Sequence, residues 1–381
     1  MREVIELQRQ GFALDIYSMF GGYKNSKAGP VYCMSWMDWF VFVFELLYWL
    51  IVRPVRMLVL IGRLFAKRYG SWINFAENLL GFAFGVCFAR RFIRHDYRCA
   101  HATWATGPGM AVYVLKDLTG LSYTMEAHAY DVFRDGGDAF LVHKCKEAKA
   151  LRSSTETTRR KLESCFGTSI TTQVSCVRRG LFEIPLYRTP TTPVTKLHVL
   201  SVGRLIEKKG YLQQLEIYRE LLTCGMPFHV NIVGEGPLKP KIEARIAALG
   251  LGEYVTLAGK LEYPQVEAMY AQANLFLFSG VVAASGDRDG FPNVIGEAMA
   301  HSLPVFTTDV SGTTEGVPHD VRGTVIDLAH PQQTAAHIVE VMQDAPRLER
   351  LTRAAHAWVL TDFQVGVNMQ RLRQVLWCAP D

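Results

Sequence analysis

The second half of the chain alternates short apolar runs with amphipathic helical patterns. Six runs are apolar almost without interruption, so we predict that they form buried strands. The predicted strands are 197–203, 228–234, 254–259, 275–280, 304–310 and 323–329. Apolar strands separated by amphipathic helices are typical of a parallel sheet covered on both faces. We therefore predict a Rossmann-like domain in this half.

The first half has a weaker pattern of the same kind. Predicted strands at 13–20, 97–103, 121–128 and 171–180 lie between helical stretches, which indicates a second α/β region. Neither half contains an internal repeat or a low-complexity tract.

A segment rich in proline and threonine, 188–196, is predicted to link the two regions. We accordingly assign 1–188 to a first domain and 189–346 to a second. The remaining helical segment, 347–381, is expected to pack back across the cleft between the domains.

Composition agrees with a folded protein of two domains. The chain has 381 residues, of which 49% are hydrophobic and 20% charged. These values exclude a disordered or fibrous protein. Eight cysteines occur without a CxxC pair, and no signal peptide opens the sequence. We therefore predict reduced thiols and a cytoplasmic location.

Charge is distributed unevenly between the two halves. Residues 1–190 carry 25 Lys/Arg and 16 Asp/Glu, net +9, and the rest carry 16 and 20, net −4, which together give the overall +5. A basic half predicts an anionic partner. Nucleic acid, phospholipid headgroups and phosphate-bearing substrates all meet that description.

The apolar content of the basic half favours a membrane surface over nucleic acid. From Arg53 to Arg94 there are eight Lys/Arg and one acid, Glu77. The aromatic residues among them are Trp72, Phe75, Phe82, Phe84 and Phe88. This mixture suits the interface of an anionic leaflet, although a core helix pair with a basic edge has the same composition. The longest uncharged run between Trp36 and Phe65 is seven residues, too short for a membrane-spanning helix.

Candidate chemistry follows the carboxyl ends of the predicted strands, where open α/β sheets bind ligands. Arg204 and Lys209 follow the first strand of the second domain, and two cations in such a turn can face one anionic group. Gly234 and Gly236 follow the next strand and permit close backbone approach. A solvated loop and an ordinary tight turn are the alternatives for these two features.

Two acids flank a predicted helix start farther along. Asp289 precedes Pro292, the expected first helical residue, and Glu297 lies in the second turn. The helix amino terminus offers free N–H groups to a sugar or phosphate oxygen. Asp287 and Asp289 also spell DxD, but no third oxygen ligand is evident, so we predict no metal site. In the first domain His128 ends a strand, with Asp131 three residues on.

The order and spacing of five motifs resemble those of the family-4 retaining glycosyltransferases with the two-domain GT-B fold. The motifs are GRLIEKKG, IVGEGPL, LAGKL, DRDGFPNVIGEAMA and LPVFTTDVSGTTEGV, within 195–320. The resemblance implies an α/β fold in which two Rossmann-like domains turn their parallel sheets to one cleft. It also implies a hexosyltransferase with a nucleotide-diphosphate sugar as co-substrate and neither cofactor nor metal.

The resemblance assigns roles to residues of the second domain. Arg204 and Lys209 would bind the diphosphate, Glu297 the ribose hydroxyls and Asp289, where glutamate is usual, the sugar. Further donor contacts are expected from Gly234, Gly236, Lys260, Leu261 and the backbone of Gly290, Phe291, Pro292 and Asn293.

In the first domain AHATWAT, SYTMEAHAYDVF and VRRGLF resemble the polysaccharide-building branch of that family. His128 matches the cleft histidine, and His101, Glu126 and Asp131 would lie on the acceptor side. The family opens with a strand and a glycine-rich loop, whereas this sequence begins in the helix that follows them. We expect a truncated start, because losing a central strand exposes backbone groups on its neighbours.

Together these features predict transfer of a hexose from a UDP- or GDP-sugar to a lipid-linked oligosaccharide, in exopolysaccharide, capsule or lipopolysaccharide assembly. We expect the protein on the inner face of the cytoplasmic membrane, without a nucleic-acid partner. The main alternatives are a catalytically idle scaffold of the same fold and a truncated chain that cannot use the donor. A glycoside hydrolase and a nicotinamide oxidoreductase fit less well.

Overall fold

The computed structural model describes residues 2–19, 25–26, 28–166 and 173–376. Among these are sixteen α-helices and thirteen strands. The helices are α1 Arg2–Arg9, α2 Asp38–Val52, α3 Pro54–Ala66, α4 Trp72–Arg94, α5 Gly107–Thr119, α6 Ala129–Phe133, α7 Leu141–Glu147, α8 Glu156–Phe166, α9 Tyr211–Leu221, α10 Lys239–Ala248, α11 Tyr263–Gln272, α12 Asn293–Ala300, α13 Thr313–Gly316, α14 Pro331–Gln343, α15 Ala345–Asp362 and α16 Val365–Leu376. The strands are β1 Ile16–Ser18, β2 Asn25–Ser26, β3 Gly29–Cys33, β4 Ala100–Ala102, β5 Tyr123–Glu126, β6 Ala150–Ser153, β7 Gln173–Cys176, β8 Leu197–Val202, β9 Phe228–Val233, β10 Val255–Gly259, β11 Leu275–Phe278, β12 Val305–Thr308 and β13 Thr324–Ile326.

The chain forms two compact units. The first comprises Met1–Arg178 and Asn368–Asp381, and the second comprises Arg179–Val367. The predicted boundary at 188 thus lies inside the second unit. The predicted C-terminal segment, 347–381, is divided between the two units, with α15 in the second.

The second unit contains a parallel six-stranded sheet in the order β10-β9-β8-β11-β12-β13. All six strands predicted for this half are confirmed, because their apolar side chains fill cores on both faces of the sheet. Strands β8 to β10 build outward in one direction and β11 to β13 in the other. The strand order therefore reverses between β8 and β11, which places a crevice at the carboxyl ends of these two strands.

The first unit contains two smaller sheets. One is parallel, in the order β4-β5-β6-β7, and the other has the order β1-β3-β2. The four strands predicted here correspond to β1, β4, β5 and β7. Strand β6 was not predicted because the arginine of its sequence, ALRS, interrupts a short apolar run, yet all four residues are buried.

Helix α4 is a core helix of the first unit, which corrects part of the predicted membrane-facing stretch. Phe82, Phe84 and Phe88 are at most 8% exposed and pack in the core. By length and composition α4 could cross a membrane, but more than half of its apolar stretch is buried within the protein. Only Trp72 of the predicted interfacial aromatics is largely exposed.

Close packing of α4 against α5 depends on glycine. A Cβ atom at Gly81 would lie 2.3 Å from the carbonyl oxygen of Gly107, and one at Gly85 would lie 2.7 Å from Cβ of Val114. Both distances are too short for a side chain, so these glycines set the separation of the two helices.

We expect Gly81→Ala to lower the free energy of unfolding by about 1–3 kcal/mol, because the added methyl group meets backbone that must move. Gly62→Ala is the matched control, since a Cβ there meets nothing within 4 Å in a helix interior. The control should raise stability by about 0.5–1 kcal/mol. Urea unfolding followed by circular dichroism measures both. Equal effects of the two variants would contradict this account of the helix contact.

Candidate functional site

The loops that follow β8 and β11 bring four charged side chains together. Lys209 Nζ lies 2.6 Å from Asp289 Oδ2, and Lys208 Nζ lies 3.1 Å from Asp287 and 3.6 Å from Asp289. Lys208 is 8% exposed. Lys209 and Asp289 were predicted to serve one site and are in direct contact, whereas sequence reasoning missed Lys208 because nothing distinguishes it from its neighbour.

Backbone contacts fix these two loops against each other. Gly210 has a φ of +66°, and a Cβ atom there would lie 1.9 Å from the carbonyl oxygen of Ser279. The Ser279 hydroxyl donates to the carbonyl oxygen of Lys209 at 2.9 Å, and Val281 N donates to that of Lys208 at 2.9 Å. These contacts fix the backbone of the two lysines, and the ion pairs with Asp287 and Asp289 hold their side chains.

Arg204 stands apart from this ion-pair network. It is exposed at the end of β8, and its guanidinium makes no hydrogen bond or ion pair with any residue that the structure describes. An arginine offers five donors in a rigid fork that matches phosphate oxygens. Arg204 is thus available to an anionic ligand at the edge that holds Lys209.

Gly234 and Gly236 allow the β9 loop to lie against the β8 loop. A Cβ at Gly234 would be 2.0 Å from the carbonyl oxygen of Gly203, and one at Gly236 would be 2.4 Å from that of Leu205. These contacts explain why both positions are glycine. Contact of these two glycines with a donor remains a prediction.

In the segment before α12 the aromatic side chain packs against other rings of the second unit. The ring of Phe291 packs edge-on against Trp358 and Phe363, each with ring centroids 5.4 Å apart. Pro292 caps α12, so the helix begins one residue later than predicted, at Asn293. Gly290 to Asn293 can therefore offer a ligand mainly backbone groups.

Glu297 lies in α12, and one oxygen of its carboxylate accepts a hydrogen bond from a tyrosine of α11. Tyr270 Oη donates to Glu297 Oε2 at 3.2 Å, and the Tyr270 ring stacks on His301 with centroids 5.1 Å apart. This hydrogen bond orients the carboxylate. Lys260, exposed, and Leu261, half-buried, follow β10 at the same edge of the sheet.

Within the described ranges no group of three or more His, Cys, Asp and Glu side chains could hold a metal ion. Asp287 and Asp289 are each paired with lysine. Their two carboxylates thus act as partners for cations of the protein.

His128 in the first unit caps a short helix. Its backbone N–H donates to Asp131 Oδ2 at 2.8 Å, and Thr106 N donates to Asp131 Oδ1 at 3.0 Å. Burial raises the pKa of Asp131 to about 6, against the lowering effects of His128 and the two N–H donors. The imidazole lies 3.3 Å from the Thr103 carbonyl oxygen and packs against Trp104. His128 and Asp131, predicted as neighbours, form one local unit.

Glu126 and His101 belong to a buried charge cluster that contains a residue sequence reasoning missed. Arg152, fully buried in β6, donates to Glu126 Oε1 at 2.5 Å and also binds Glu3 of α1. His101 Nε2 and His128 Nε2 each lie 3.2 Å from a Glu126 oxygen. Burial opposes ionisation of Glu126, but Arg152 and the histidines outweigh it, so its pKa lies well below the usual value.

Glu126→Gln is expected to lower the free energy of unfolding by about 3–5 kcal/mol at pH 7, because it removes one of the two carboxylates that compensate the buried charge of Arg152. A carboxylate with a depressed folded-state pKa stabilises the protein above its unfolded pKa of ~4.3 and loses that effect as the pH falls further. The difference between parent and variant should therefore shrink in acid.

Denaturant unfolding between pH 3 and pH 8 measures this effect. Glu163→Gln, which removes an exposed helical ion pair with Arg159, is the control and should change stability by less than about 1 kcal/mol. A Glu126 variant as stable as this control at pH 7 would contradict the assigned role of the cluster.

Comparison with known proteins identifies relatives of this chain. Residues 188–358 match the family model described as glycosyl transferases group 1. The amylovoran biosynthesis glycosyltransferase AmsK of Erwinia amylovora is 33% identical over 180 residues, which cover 47% of this chain and 44% of AmsK. The chain thus spans less than half the length of this curated relative.

Two solved structures share the fold. A glycosyltransferase from Rickettsia africae has a TM-score of 0.71 and 13% identity, covering 99% of this chain and 95% of that one. Anabaena HepE in complex with UDP and glucose has a TM-score of 0.61 and 18% identity, covering 76% and 81%. The resemblance inferred from the sequence motifs is thereby confirmed. The similarity to the glycosyl transferases group 1 therefore lies in residues 188–358, and the fold of the chain is that of the GT-B glycosyltransferases.

Proposed function

We propose that this protein is a glycosyltransferase that moves a hexose from a nucleotide-diphosphate sugar to a saccharide acceptor. The observation that carries the proposal is the contact between Lys209 and Asp289 at the carboxyl ends of β8 and β11, with the exposed Arg204 in the same loop as Lys209. The crevice at the point where the strand order reverses is where α/β sheets bind nucleotides. The UDP and glucose named for HepE support the same class of donor.

The charges of the site suit departure of a diphosphate. Breaking an anomeric C–O bond leaves positive charge on the sugar and negative charge on the leaving group, so fixed cations at the phosphate lower the barrier. Arg204 would supply a forked contact and Lys209 a point charge. Retention of configuration, with the acceptor attacking from the face of the departing diphosphate, is part of the proposal.

Asp289 would hold the lysine until the donor arrives. Its carboxylate lies 2.6 Å from Lys209 Nζ and neutralises that charge. A diphosphate that binds Lys209 competes for the same Nζ and releases the carboxylate, which can then accept hydrogen bonds from sugar hydroxyls. Glu297, oriented by Tyr270, would accept from the ribose hydroxyls, and UDP and GDP both fit this role.

The proposed product is a bacterial surface polysaccharide or its lipid-linked precursor. AmsK is named for the biosynthesis of amylovoran, and its similarity to this chain supports such a product. The acceptor would be a saccharide on a lipid carrier at the inner face of the cytoplasmic membrane. We propose that His128, His101, Glu126 and Asp131 of the first unit lie on the acceptor side.

The first unit also carries a surface that suits a membrane. Helices α2 and α3 and the turn before α2 expose large apolar side chains, which together we call the hairpin surface. Its most exposed members are Trp36, Phe40, Phe44, Ile51, Val55, Leu58 and Phe65, at 62–80%. Monomeric soluble proteins rarely expose so many contiguous apolar side chains.

Charge on the hairpin favours an anionic bilayer as its partner. Arg53, Arg56 and Arg63 are exposed. Neither acid of 36–66 is exposed, because Asp38 is half-buried and Glu45 is buried against Arg90. With 15 residues, α2 is about 22 Å long, shorter than the ~30 Å hydrocarbon core. We therefore propose that the hairpin lies in the membrane interface and does not span the bilayer.

A nucleotide of the right class should raise the melting temperature of the purified protein. UDP, GDP and ADP and their sugars are tested at millimolar concentration, since a ligand at 100 times its Kd adds about 2.7 kcal/mol. Glu297→Ala should abolish the shift. Glu253→Gln, an exposed acid of the same unit, is the control and should retain it.

Absence of a shift with every nucleotide would contradict the proposed donor site and favour an idle scaffold or a donor-incompetent chain.

Measurement of the turnover rate separates loss of donor binding from loss of catalysis. Arg204→Lys should still bind the nucleotide sugar. The rate at which it splits the sugar from the nucleotide should fall at least about tenfold, because the forked contact with the phosphate is lost. A normal rate in this variant would contradict the role of Arg204.

Sedimentation with vesicles tests the hairpin surface. The protein should bind vesicles containing anionic lipid at ~0.1 M salt and retain part of this binding at ~1 M salt, because apolar insertion is not screened. The triple variant Phe40→Ser, Phe44→Ser, Ile51→Ser should bind at least about tenfold more weakly.

Leu186→Ser, which removes a 90% exposed apolar side chain from the second unit, is the control and should bind like the parent. A parent protein that is folded by circular dichroism but does not sediment with any vesicle would contradict membrane attachment. Binding that disappears completely at ~1 M salt would show attraction by charge without insertion.

A further inference from the structure

Lys208 belongs to the ion-pair network beside the proposed donor site, but the proposed chemistry gives it no role. Its Nζ lies 3.1 Å from each carboxylate oxygen of Asp287 and 3.6 Å from Oδ1 of Asp289. The side chain is buried, unlike that of the half-buried Lys209. A buried ammonium group among three carboxylate oxygens acts on the carboxylates of the protein itself.

The two oxygens of the Asp289 carboxylate are divided between the two lysines. Oδ2 lies 2.6 Å from Lys209 Nζ, and Oδ1 lies 3.6 Å from Lys208 Nζ. One lysine can therefore leave while the other stays beside the carboxylate. A ligand that takes Lys209 would free Oδ2 and leave Oδ1 beside Lys208.

The backbone fixes both ends of the ion pair between Lys208 and Asp287. Asp287 closes a turn in which Ala283 N donates to the Asp287 carbonyl oxygen at 2.9 Å and Gly286 N donates to that of Ala283 at 2.8 Å. Val281 N, at the start of the same loop, donates to the Lys208 carbonyl oxygen at 2.9 Å. Lys208 is thus anchored from two sides.

Lys209 is held less firmly than Lys208. Among the residues that the structure describes, Asp289 is its one ion-pair partner, and its Nζ also lies 5.0 Å from the centroid of the Phe278 ring. Release of Lys209 breaks contact with one carboxylate, whereas release of Lys208 would break contact with two. The network therefore contains one lysine suited to exchange and one suited to stay.

The charge balance gives the staying lysine a purpose. Two lysines compensate two half-buried aspartates in this network. When a diphosphate draws Lys209 away, Lys208 remains between Asp287 and Asp289. Without Lys208, both carboxylates would be left without a cation close to the incoming phosphate, which costs desolvation and repulsion. Lys208 therefore lowers the free-energy cost of the exchange.

We propose that Lys208 is a positioning residue that holds Asp289 through Oδ1 while the donor diphosphate binds Lys209. Oδ2 of Asp289 is then free to accept a hydrogen bond from the donor sugar. The inference rests on the proposed function, because it describes how the proposed donor site exchanges its ionic partners. Lys208 itself touches neither the phosphate nor the sugar.

Calorimetric titration of the whole protein with UDP, GDP and ADP tests the exchange. For the nucleotide that binds the parent, Lys208→Met should weaken binding at least about tenfold, because Asp289 loses its remaining cation. Lys208→Arg keeps the charge and should bind within about threefold of the parent. Lys241→Met, which removes an exposed lysine of the same unit, is the control and should bind like the parent.

A double-mutant cycle tests whether Lys208 acts through Asp289. Asp289→Asn should bind the nucleotide at least as tightly as the parent, since Lys209 is no longer shared with a carboxylate. In this background Lys208→Met should weaken binding by less than about threefold. Equal losses in the two backgrounds would show that Lys208 acts only by its general positive charge, and would overturn the inference.

A second pair of substitutions separates the two aspartates. Lys208→Met combined with Asp287→Asn restores the charge balance but leaves Asp289 without Lys208. This double variant should still bind the nucleotide at least about fivefold more weakly than the parent. Recovery of the parent affinity would show that Lys208 serves Asp287 alone, which would also overturn the inference.

Lys208→Gln replaces Lys208→Met in these titrations if circular dichroism shows that the methionine variant does not fold. Its amide still donates to Asp287 but carries no charge. It should show the same loss in the parent background and the same small effect beside Asp289→Asn. Binding equal to that of the parent would contradict the need for a cation at residue 208.

Turnover of the matching nucleotide sugar gives a readout of the position of Asp289. At saturating nucleotide sugar, Lys208→Met should lower kcat at least about tenfold, because Asp289 is no longer held toward the sugar, and Lys208→Arg should restore most of the rate. An unchanged kcat in Lys208→Met would overturn the inference.

The titrations also distinguish failure of this inference from failure of the proposed function. A folded parent that binds none of the three nucleotides would contradict the donor site, and the role of Lys208 would fall with it. A parent that binds a nucleotide, with Lys208 variants that bind and turn over normally, would overturn this inference alone and leave the donor site in place.

Discussion

A steric constraint at one residue allows the second unit to assemble its site. The loop after β8 can lie against the loop after β11 only because residue 210 has no side chain, since a Cβ there would overlap the carbonyl group of Ser279. That contact brings two consecutive lysines from one loop to two aspartates from the other. The reversal of strand order between β8 and β11 supplies the crevice, and the glycine supplies the approach.

The first unit handles charge in the opposite way, by burying it. Arg152 lies in the middle of its parallel sheet and is stabilised by Glu126 and Glu3. Breaking such a pair costs more than its formation contributes, because either charge alone would be buried without compensation. The cluster therefore ties α1 to strands β5 and β6 and holds His101 and His128 in place.

Three apolar helices of this unit have different surroundings. Helix α4 packs its phenylalanines into the core through glycine contacts with α5, whereas α2 and α3 leave most of their apolar side chains exposed.

The sequence by itself determined the second unit almost completely. Its six strands were readable because parallel strands buried on both faces are nearly uniform in apolar character, and strand ends then locate Arg204, Lys209, Asp289 and Glu297. Only the tertiary structure decided which aromatics of the first unit are buried, because helices that are apolar all round carry no directional pattern. It also decided the roles of Lys208 and Arg152, since a charge acquires its partner from residues distant in sequence.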